Sequence, residues 1–469
     1  MLRPFVMSYA KACLRVLIVS LAVICLTGAA AAADRIPAAV VMPETSANAL
    51  AVGQSEPTVS WLDDVQLVQA EQPPAVPPKP ATAPQPATAP QPATPAPTAT
   101  PTPTAAQRRR LRELFSQRRS SLKNRPVRSR LASIPDIFGD SLLPSIQFTI
   151  SDYYNPGDTT IDIPVGTQSG AVKISDNNRA IPTDRVYGTY HHFHNIGQIN
   201  DPAAGTVADL SFNQYLLGIE KTFDNGWMSV EFRLPLLEQM HHSDSSLTLE
   251  GGSVGDFTVI TKALMYADDE LALAIGMAIQ TPTGDDLKVE VITPFVGDLN
   301  RFTFQNESVH LIPFIGLSGQ VSDRAFFHLF CQLDTPVNEQ GLQVEDVNSG
   351  TSQTETVDPQ TILQLDGVAG YWLRPADNNA FISGIAAVLE LHLSTSLEDR
   401  DVPSDIVTSS GFYSMQAGAE TFSMVNITTG LYTQLGDNHA LRVAGVFPLS
   451  GGSGRAFDSE LIVQLTRRY

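Results

Sequence analysis

The sequence predicts an all-β protein, a transmembrane antiparallel β-barrel of about twelve strands. Three observations support this: strands with one apolar and one charged face, connections that alternate between short and long, and no helical pattern to cover the apolar faces. A secreted soluble β-sandwich is the alternative, but its crossing connections give no reason for that alternation. The apolar faces are therefore expected to contact lipid.

The clearest strand pair runs from Asn213 to Leu234 around a turn at Asp224 to Gly226. Asn-Gly supplies the positive φ angles that a tight hairpin requires. One face of the second strand is apolar, with Met228, Val230, Phe232 and Leu234. The other face carries Trp227, Ser229, Glu231 and Arg233. A strand of this design separates lipid from an aqueous or packed polar interior.

Residues 1–33 are typical of a secretory signal peptide, with basic residues before the apolar run Val16 to Leu26 and small residues up to Ala33. Cys13 and Cys25 lie in this signal, so only Cys331 remains and no internal disulfide is expected. Export is consistent with an outer-membrane location. No other apolar stretch approaches the length of a spanning helix, so a membrane form has to be a barrel.

Three segments separate the signal from the barrel. Residues 34–71 form a short segment without a clear pattern, and residues 72–104 are rich in Pro, Ala and Thr, which favours an extended spacer. Residues 105–130 form a basic amphipathic segment, with ten basic residues and one acidic residue between Gln107 and Arg130. This segment either plugs the periplasmic mouth or binds anionic headgroups. The chain as a whole has a net charge of −19, which argues against nucleic acid as a partner.

The barrel domain is assigned to residues 131–469. Tight turns are predicted at Asp224 to Gly226, Ala267 to Glu270, Ser322 to Arg324, Pro375 to Asn379 and Gly436 to Asn438. Long polar loops are predicted at Gly197 to Ala208, Met240 to Asp256, Thr281 to Glu307, Thr335 to Gln360, Thr395 to Phe422 and Ser450 to Asp458. Counting from Arg185 gives about twelve strands, an even number that places both chain ends on the periplasmic side. A further hairpin, from Ser145 to Ser151 and Ala171 to Ser175, would make about fourteen.

The last strand carries a recognisable pattern: Leu461, Val463 and Leu465 alternate with polar residues, and the chain stops at Tyr469. This ending resembles the closing strand of bacterial outer-membrane barrels, whose terminal aromatic residue is read by the barrel-assembly machinery. Phe is the commoner terminal residue there. Over residues 145–469 the layout also resembles porin-like and transporter-like outer-membrane barrels of an uncharacterised family, including those associated with uptake of aromatic and fatty compounds. The resemblance implies outer-membrane lipid and the assembly machinery as partners.

Charged residues on the polar strand faces are the candidate functional residues. A carboxylate facing hydrocarbon is costly, so these side chains are expected to point inward. The candidates for lumen lining are Glu220, Glu231, Arg233, Asp366, Glu390 and Arg442. They either favour cations in an open lumen or form a packed polar core inside a small barrel, and the sequence does not choose between these alternatives.

Motifs for catalysis are not evident: the sequence has no GxSxG, phosphate loop, CxxC or HExxH. We therefore predict no catalytic residue, no enzyme activity and no cofactor. His192 and His194 share a strand face, but further ligands are not evident, so no metal site is predicted.

These features predict an outer-membrane channel or transporter for small solutes, with a periplasmic N-terminal spacer. The alternative is a closed barrel that acts as a surface anchor or adhesion scaffold, tied to a cell-wall polymer through the N-terminal segment. The solute itself is not predicted.

Overall fold

A computed structural model describes residues 131–140, 145–151, 159–164, 173–201, 206–238, 241–243, 247–251, 253–292, 299–375, 380–400, 403, 406–407, 412–416, 421–451 and 455–469. The predicted signal peptide (1–33), N-terminal segment (34–71), spacer (72–104) and basic segment (105–130) lie outside the described residues. Among the described residues, no helix is long and apolar enough to span a membrane.

The described chain is almost entirely β-structure, apart from 3₁₀ turns at Leu131–Ser133 and Asp224–Gly226. The strands are β1 (Ser145–Ser151), β2 (Thr159–Pro164), β3 (Arg185–Asp201), β4 (Thr206–Phe223), β5 (Met228–Leu237), β6 (His241–Ser243), β7 (Leu247–Glu250), β8 (Phe257–Ala267), β9 (Leu271–Thr281), β10 (Leu287–Ile292) and β11 (Leu299–Phe304). They continue with β12 (His310–Gln320), β13 (Ala325–Pro336), β14 (Gln340–Asp346), β15 (Thr351–Val357), β16 (Ile362–Arg374), β17 (Ile382–Ser396), β18 (Ile406–Val407), β19 (Phe412–Gln416), β20 (Ser423–Leu435), β21 (His439–Pro448) and β22 (Ser459–Arg468).

Twelve of these strands form a closed antiparallel barrel, which confirms the predicted fold class. The wall order is β3, β4, β5, β8, β9, β12, β13, β16, β17, β20, β21 and β22. The ring closes where β22 pairs with β3, with Arg468 opposite Arg185 and Ser459 opposite His194. Closure leaves no free edge in the wall.

The connections define two ends of the barrel. At the short-turn end lie Arg185, Tyr469 and the tight turns, and the predicted turn at Asp224–Gly226 has positive φ at all three residues. At the long-loop end the loops contain six of the strands that are not part of the wall: β6, β7, β10, β11, β14 and β15. The predicted irregular loop from Gly197 to Ala208 is wrong in its bounds, because β3 continues to Asp201 and β4 begins at Thr206.

The outer surface of the barrel is apolar, as the alternation predicted. On the first hairpin Leu217, Met228 and Phe232 are 49%, 49% and 43% exposed, while Glu220 and Glu231 are buried. The same alternation runs through the wall strands, so the exposed apolar side chains form a belt and the charged ones point inward. Such an exterior is matched to hydrocarbon rather than to water.

Three long loops together build a second, six-stranded sheet, in the order β15, β14, β11, β10, β7 and β6. Its inner face contains the buried side chains of Val289, Phe302 and Val344, which belong to the same hydrophobic cluster as the barrel interior. Its outer face is charged: Arg301 contacts Glu290 at 2.8 Å and Glu345 at 3.0 Å. The hydrogen bond from Arg301 to Glu290, followed by the charges of the two glutamates, raises the pKa of Arg301.

The predicted extra wall hairpin is wrong, and so is the count of fourteen. Ser145–Ser151 is β1, but it pairs with β2 and β19 outside the closed ring. Residues 173–175 are not a strand, and they lie in the barrel interior with nearly complete burial. The alternation in these segments reflects a small hairpin and a buried crossing segment rather than two spans.

Candidate functional site

The barrel interior contains two segments of the chain, residues 131–140 and 173–184, which we call the plug. They run antiparallel: the Ile137 amide donates to the Asn178 carbonyl at 3.0 Å, and the Asn177 amide donates to the Ile137 carbonyl at 3.1 Å. Asn177 (φ 54°) and Gly139 (φ 90°) have left-handed backbone. These conformations suit Asn and Gly, so the local sequence permits two sharp bends without a regular element.

The first ionic cluster of the site lies towards the short-turn end and is centred on Asp136 of the plug. Its carboxylate lies 3.2 Å from Arg179 of the plug, and 3.3 Å and 3.5 Å from the wall residues Arg185 and Arg468. Arg185 in turn contacts Glu220 at 2.7 Å. A buried carboxylate is stable only with such partners, so this cluster fixes the position of the plug.

The second ionic cluster lies farther from the short-turn end. It joins Asp140 and Lys173 of the plug to Asp366, Glu390 and His392 of the wall. The Lys173 ammonium contacts the Asp140 carboxylate and lies 3.8 Å from that of Asp366. His392 Nδ1 lies 2.7 Å from Asp366 and 3.2 Å from Asp140. Asp140, Asp366 and His392 offer ligand atoms within 4.8 Å of one another, an arrangement suited to a metal ion. Lys173 supplies one positive charge to this group of three carboxylates, so it already occupies part of the role that a metal ion would have.

Glu390 binds the plug backbone directly. Its two carboxylate oxygens accept hydrogen bonds from the amides of Phe138 and Gly139, each at 2.8 Å. Two amide donors on one ionised carboxylate are strong, charge-assisted hydrogen bonds. The bend at Gly139 aims both amides at the wall. Glycine is required there, because φ is 90° and a Cβ would overlap Asp176.

Arg442 binds the plug from an adjacent part of the wall. Its Nη1 donates to the carbonyls of Asp136 at 2.7 Å and Ile137 at 2.9 Å, and its guanidinium lies 5.2 Å from the centre of the Phe138 ring. The ring fits against Gly430, where a Cβ would lie 2.8 Å from Cζ of Phe138. The missing side chain of Gly430 therefore makes the notch that receives Phe138.

Two further wall cations complete the binding of the second plug segment. Arg233 donates to the carbonyls of Lys173 at 2.9 Å and Ile174 at 3.3 Å. Lys262 Nζ donates to the Arg179 carbonyl at 3.0 Å. Wall side chains thus satisfy backbone groups of the plug that no secondary structure satisfies, which buried carbonyls require.

All six predicted lumen-lining residues lie in the interior, and all are between 0% and 2% exposed. Arg233, Glu390 and Arg442 bind the plug backbone, and Asp366 contacts the plug through Lys173. Glu220 accepts a hydrogen bond from the Thr183 amide of the plug at 3.3 Å. Glu231 instead contacts wall residues, with Arg185 at 3.2 Å, Arg233 at 2.8 Å and the Tyr187 hydroxyl at 2.6 Å.

The plug residues themselves were missed by the sequence analysis. The run Ser175 to Arg179 contains turn-forming residues, but it looks the same in a surface loop and in a lumen. Lys262 and His392 were also missed as site residues, although each has the inward position of its strand. The same alternation that identified Glu390 would have found both of them.

The predicted assembly residues lie on the closing strand. Leu461, Leu465 and Tyr469 are 43%, 55% and 56% exposed, and Val463 is half-buried. The Lys221 ammonium lies 5.2 Å from the centre of the Tyr469 ring. The chain end is thus accessible on the outer side of the barrel.

Asp184, at the end of the plug, fastens it to the first hairpin. Its carboxylate accepts hydrogen bonds from the Thr222 amide at 2.7 Å, the Thr222 hydroxyl at 2.8 Å and Lys221 at 3.0 Å. Burial alone would raise the pKa of Asp184, but these hydrogen bonds lower it below its ordinary value.

The histidines considered for metal binding point in two directions. His191 faces inward, with Nδ1 2.6 Å from Glu460. His192 and His194 share the outer face, where His192 Nδ1 lies 2.7 Å from Asn213 Oδ1. His194 Nδ1 lies 3.5 Å from Ser211 Oγ, also on the outer face.

No protein-family model and no curated protein matches the sequence. Among solved structures, the chain is similar to an outer membrane channel from Pseudomonas putida F1 (TM-score 0.38, 11% identity, 64% of this chain and 100% of that chain). It is also similar to the translocator domain of the autotransporter NalP from Neisseria meningitidis (TM-score 0.37, 10% identity, 65% and 93%). A third similar structure is the Ralstonia pickettii toluene transporter TbuX (TM-score 0.31, 10% identity, 65% and 98%). Similarity at this level gives no information on the solute or the activity of this chain.

Proposed function

We propose that this chain is an outer-membrane channel or transporter for small solutes, whose plug controls the passage through the barrel. The closed wall and its apolar belt support the membrane location, because a barrel with this exterior is stable only in lipid. The export signal that the sequence predicts in residues 1–33 supports the same location. The solute is small because a twelve-strand wall encloses a narrow lumen.

The observation that carries the proposal is the way in which the wall binds the plug. Arg233, Glu390 and Arg442 bond to plug backbone rather than to each other. When the plug shifts, these charged groups become available to water and to a solute, and they line a polar path. Both signs of charge are present, so the path accepts polar solutes without strong selection for cations.

A disulfide that locks the plug to the wall tests this proposal. The Ala180 amide donates to the Ser318 hydroxyl at 3.0 Å, so Ala180→Cys with Ser318→Cys places two thiols close together. Cys331→Ala in the same protein removes the remaining free thiol of the described residues. Conductance is measured in planar bilayers before and after reduction, and the protein with Cys331→Ala alone is the control.

We expect channel openings in the reduced double-cysteine protein and in the control, and none in the oxidised form. Solute flux into liposomes should follow the same pattern. Equal conductance in the oxidised and reduced forms would exclude a plug that controls passage. A complete lack of conductance and flux in every form would remove the channel itself.

The second candidate, a closed barrel that acts as an anchor or adhesion scaffold, is favoured by one observation. The six predicted lumen-lining charges are almost completely buried in this conformation, and each is paired with the plug or with another wall residue. The scaffold predicts no conductance, together with retention on purified cell-wall polymer. Pulldown of the full chain and of a chain lacking residues 34–130 distinguishes a wall-binding N-terminal segment from an inert one.

The same proposal places the N-terminal segment in the periplasm. Asp136 lies against Arg185 and Arg468 at the short-turn end, so the chain that precedes the plug connects to the barrel there. Short turns face the periplasm in outer-membrane barrels. In this proposal the chain has no enzyme activity, and the assembly machinery reads Leu461, Val463, Leu465 and Tyr469.

A further inference from the structure

Within the part of the chain that the structure describes, the six-stranded sheet at the long-loop end has an open edge at β15. Among the described strands β15 pairs only with β14, over the seven positions from Thr351 to Val357. Thr354, Glu355 and Thr356 are exposed, so both faces of the strand are accessible next to the open edge. Natural proteins usually protect such an edge with Lys, Pro or a bulge, and the β15 sequence TSQTETV contains neither Lys nor Pro.

A groove with a volume of about 1000 Å³ lies at the Val357 end of β15 and extends over Gln340 and Gly341 of β14. Thr354 and Thr356 of β15 contribute to its lining. Its other residues include five carboxylates and no basic side chain: Glu307, Glu339, Asp358, Glu398 and Asp399. Glu339, Glu398 and Asp399 are exposed, so their negative charge is available to a ligand.

We propose that β15 and this groove bind an extended, basic peptide segment of a partner protein at the long-loop end. The backbone of the peptide adds a seventh strand to the sheet, and its alternate side chains enter the acidic groove. Strand addition to an open edge supplies affinity through main-chain hydrogen bonds, and pockets for alternate side chains supply specificity. Seven paired residues span about 23 Å, so the ligand is a segment of roughly that length.

The charge of the groove selects the partner. A peptide with Lys or Arg at alternate positions places positive charge among five carboxylates, whereas an acidic peptide meets repulsion. A second copy of this chain is a poor occupant, because its own β15 edge carries Glu355 and has no basic residue. The observations therefore favour a basic partner over self-association.

Fluorescence anisotropy with the purified full chain in detergent micelles tests the proposal. The probe is a labelled nine-residue peptide that alternates Lys with Thr and Val, and the matched probe carries Glu in place of Lys. A third probe keeps the Lys residues but is N-methylated at four successive central amides, which blocks both of its edges. We expect saturable binding of the first probe and affinity at least about tenfold lower for the other two.

The variant Glu339→Gln, Glu398→Gln, Asp399→Asn tests the groove, and we expect it to bind the Lys probe about tenfold more weakly. Its matched control removes the same charge at the short-turn end, with Asp269→Asn, Glu270→Gln and Asp437→Asn, and should bind as the unmodified protein does. Equal affinity for the N-methylated probe would overturn strand addition. Equal affinity for the Glu probe, or an equal loss in the control variant, would overturn recognition of basic charge by the groove.

Sedimentation of the same samples tests the second-copy alternative. We expect no association through β15. A dimer that disappears when Thr354→Pro interrupts the edge would show that a second copy occupies this strand, and it would overturn the proposal.

Discussion

At Arg442 a fully buried cation is stabilised mainly by main-chain oxygens. Its guanidinium donates to the carbonyls of Asp136 and Ile137 at 2.7 Å and 2.9 Å. Hydrogen bonds from charged groups contribute more than neutral ones, and loss of one partner leaves the other buried and unsatisfied.

Arg442→Met should lower the free energy of unfolding by about 2–4 kcal/mol, because two buried carbonyls lose their charged donor. Arg467→Met, on the exposed face of the neighbouring strand, is the matched control and should change it by less than about 0.5 kcal/mol. Urea unfolding in detergent micelles, followed by tryptophan fluorescence, measures both. An equally large loss of stability in Arg467→Met would indicate that the effect of Arg442→Met does not come from its contacts with the plug.

Phe138→Ala should loosen the plug without disturbing the wall. Removal of a buried Phe ring costs about 3–5 kcal/mol, and here the ring fills the notch at Gly430. Limited trypsin digestion measures the result, because the bonds after Lys173 and Arg179 are buried. We expect cleavage at these two sites to become roughly a hundredfold to a few thousandfold faster, since each 1.4 kcal/mol corresponds to a factor of about ten.

The matched control for this substitution is Phe447→Ala, whose ring is 48% exposed on the outer surface. Cleavage in the control should be unchanged. Faster cleavage in both variants would mean that any loss of an aromatic ring opens the barrel, and it would contradict a specific Phe138 contact.

Individual site residues were predictable only where a period-2 pattern existed. Glu390 alternates with Leu389 and Leu391, so its inward direction follows from the strand alone. Asp136 and Lys173 lie outside any strand, and their contacts include residues more than 190 positions away in the chain. Local sequence contains no information on such contacts.

At the scale of elements, the two plug segments form one unit. They bond to each other at residues 137, 177 and 178, and both ionic clusters include residues from both segments. Hydrogen exchange followed by mass spectrometry should therefore show the amides of Ile137, Phe138, Gly139 and Asn177 opening together and slowly. Fast exchange in one segment with slow exchange in the other would contradict a single unit.

The six-stranded sheet offers a comparison between neighbouring residues on opposite faces. Phe302→Ala should reduce the stability of this sheet by about 3–5 kcal/mol, because the ring is fully buried. Arg301→Ala should cost less than about 1 kcal/mol, and the cost should fall with added salt, because its two ion pairs are partly exposed. Protease cleavage of the long loops measures both, and similar rates for the two variants would contradict the assigned faces.

The sequence predicted long polar loops where the structure has this sheet. Residues such as Val289 and Val344 alternate over short runs, but each hairpin alone is too small to be stable. The sheet forms only when three loops from different parts of the chain pair with one another. The sequence of any single loop therefore does not predict it.

For the whole molecule, the barrel should be resistant to SDS until it is heated. A closed wall has no free edge at which unfolding starts, so the unheated protein should keep its compact form. We expect faster gel migration of the unheated, detergent-extracted protein than of the boiled protein. Identical migration in the two samples would contradict a closed barrel.

The overall architecture was predictable because it depends on features that repeat. Alternating faces and alternating connection lengths recur in every hairpin, and twelve wall strands follow from counting them. The interior was not predictable to the same extent, because a filled lumen and an open one have the same strand pattern. Only the contacts of residues 131–140 and 173–184 distinguish them.

The second plug segment lies in the sequence between β2 and β3, and β2 is itself paired with β3. On one side it continues directly into β3 at Arg185, and on the other side it follows β2, which pairs with β3 at Asn200. The segment therefore passes through the barrel between two connections to β3, one near each end of that strand. Unless β2 separates from β3, the segment stays inside the barrel in every conducting state. Single-channel current should then remain below that of an empty barrel of equal width.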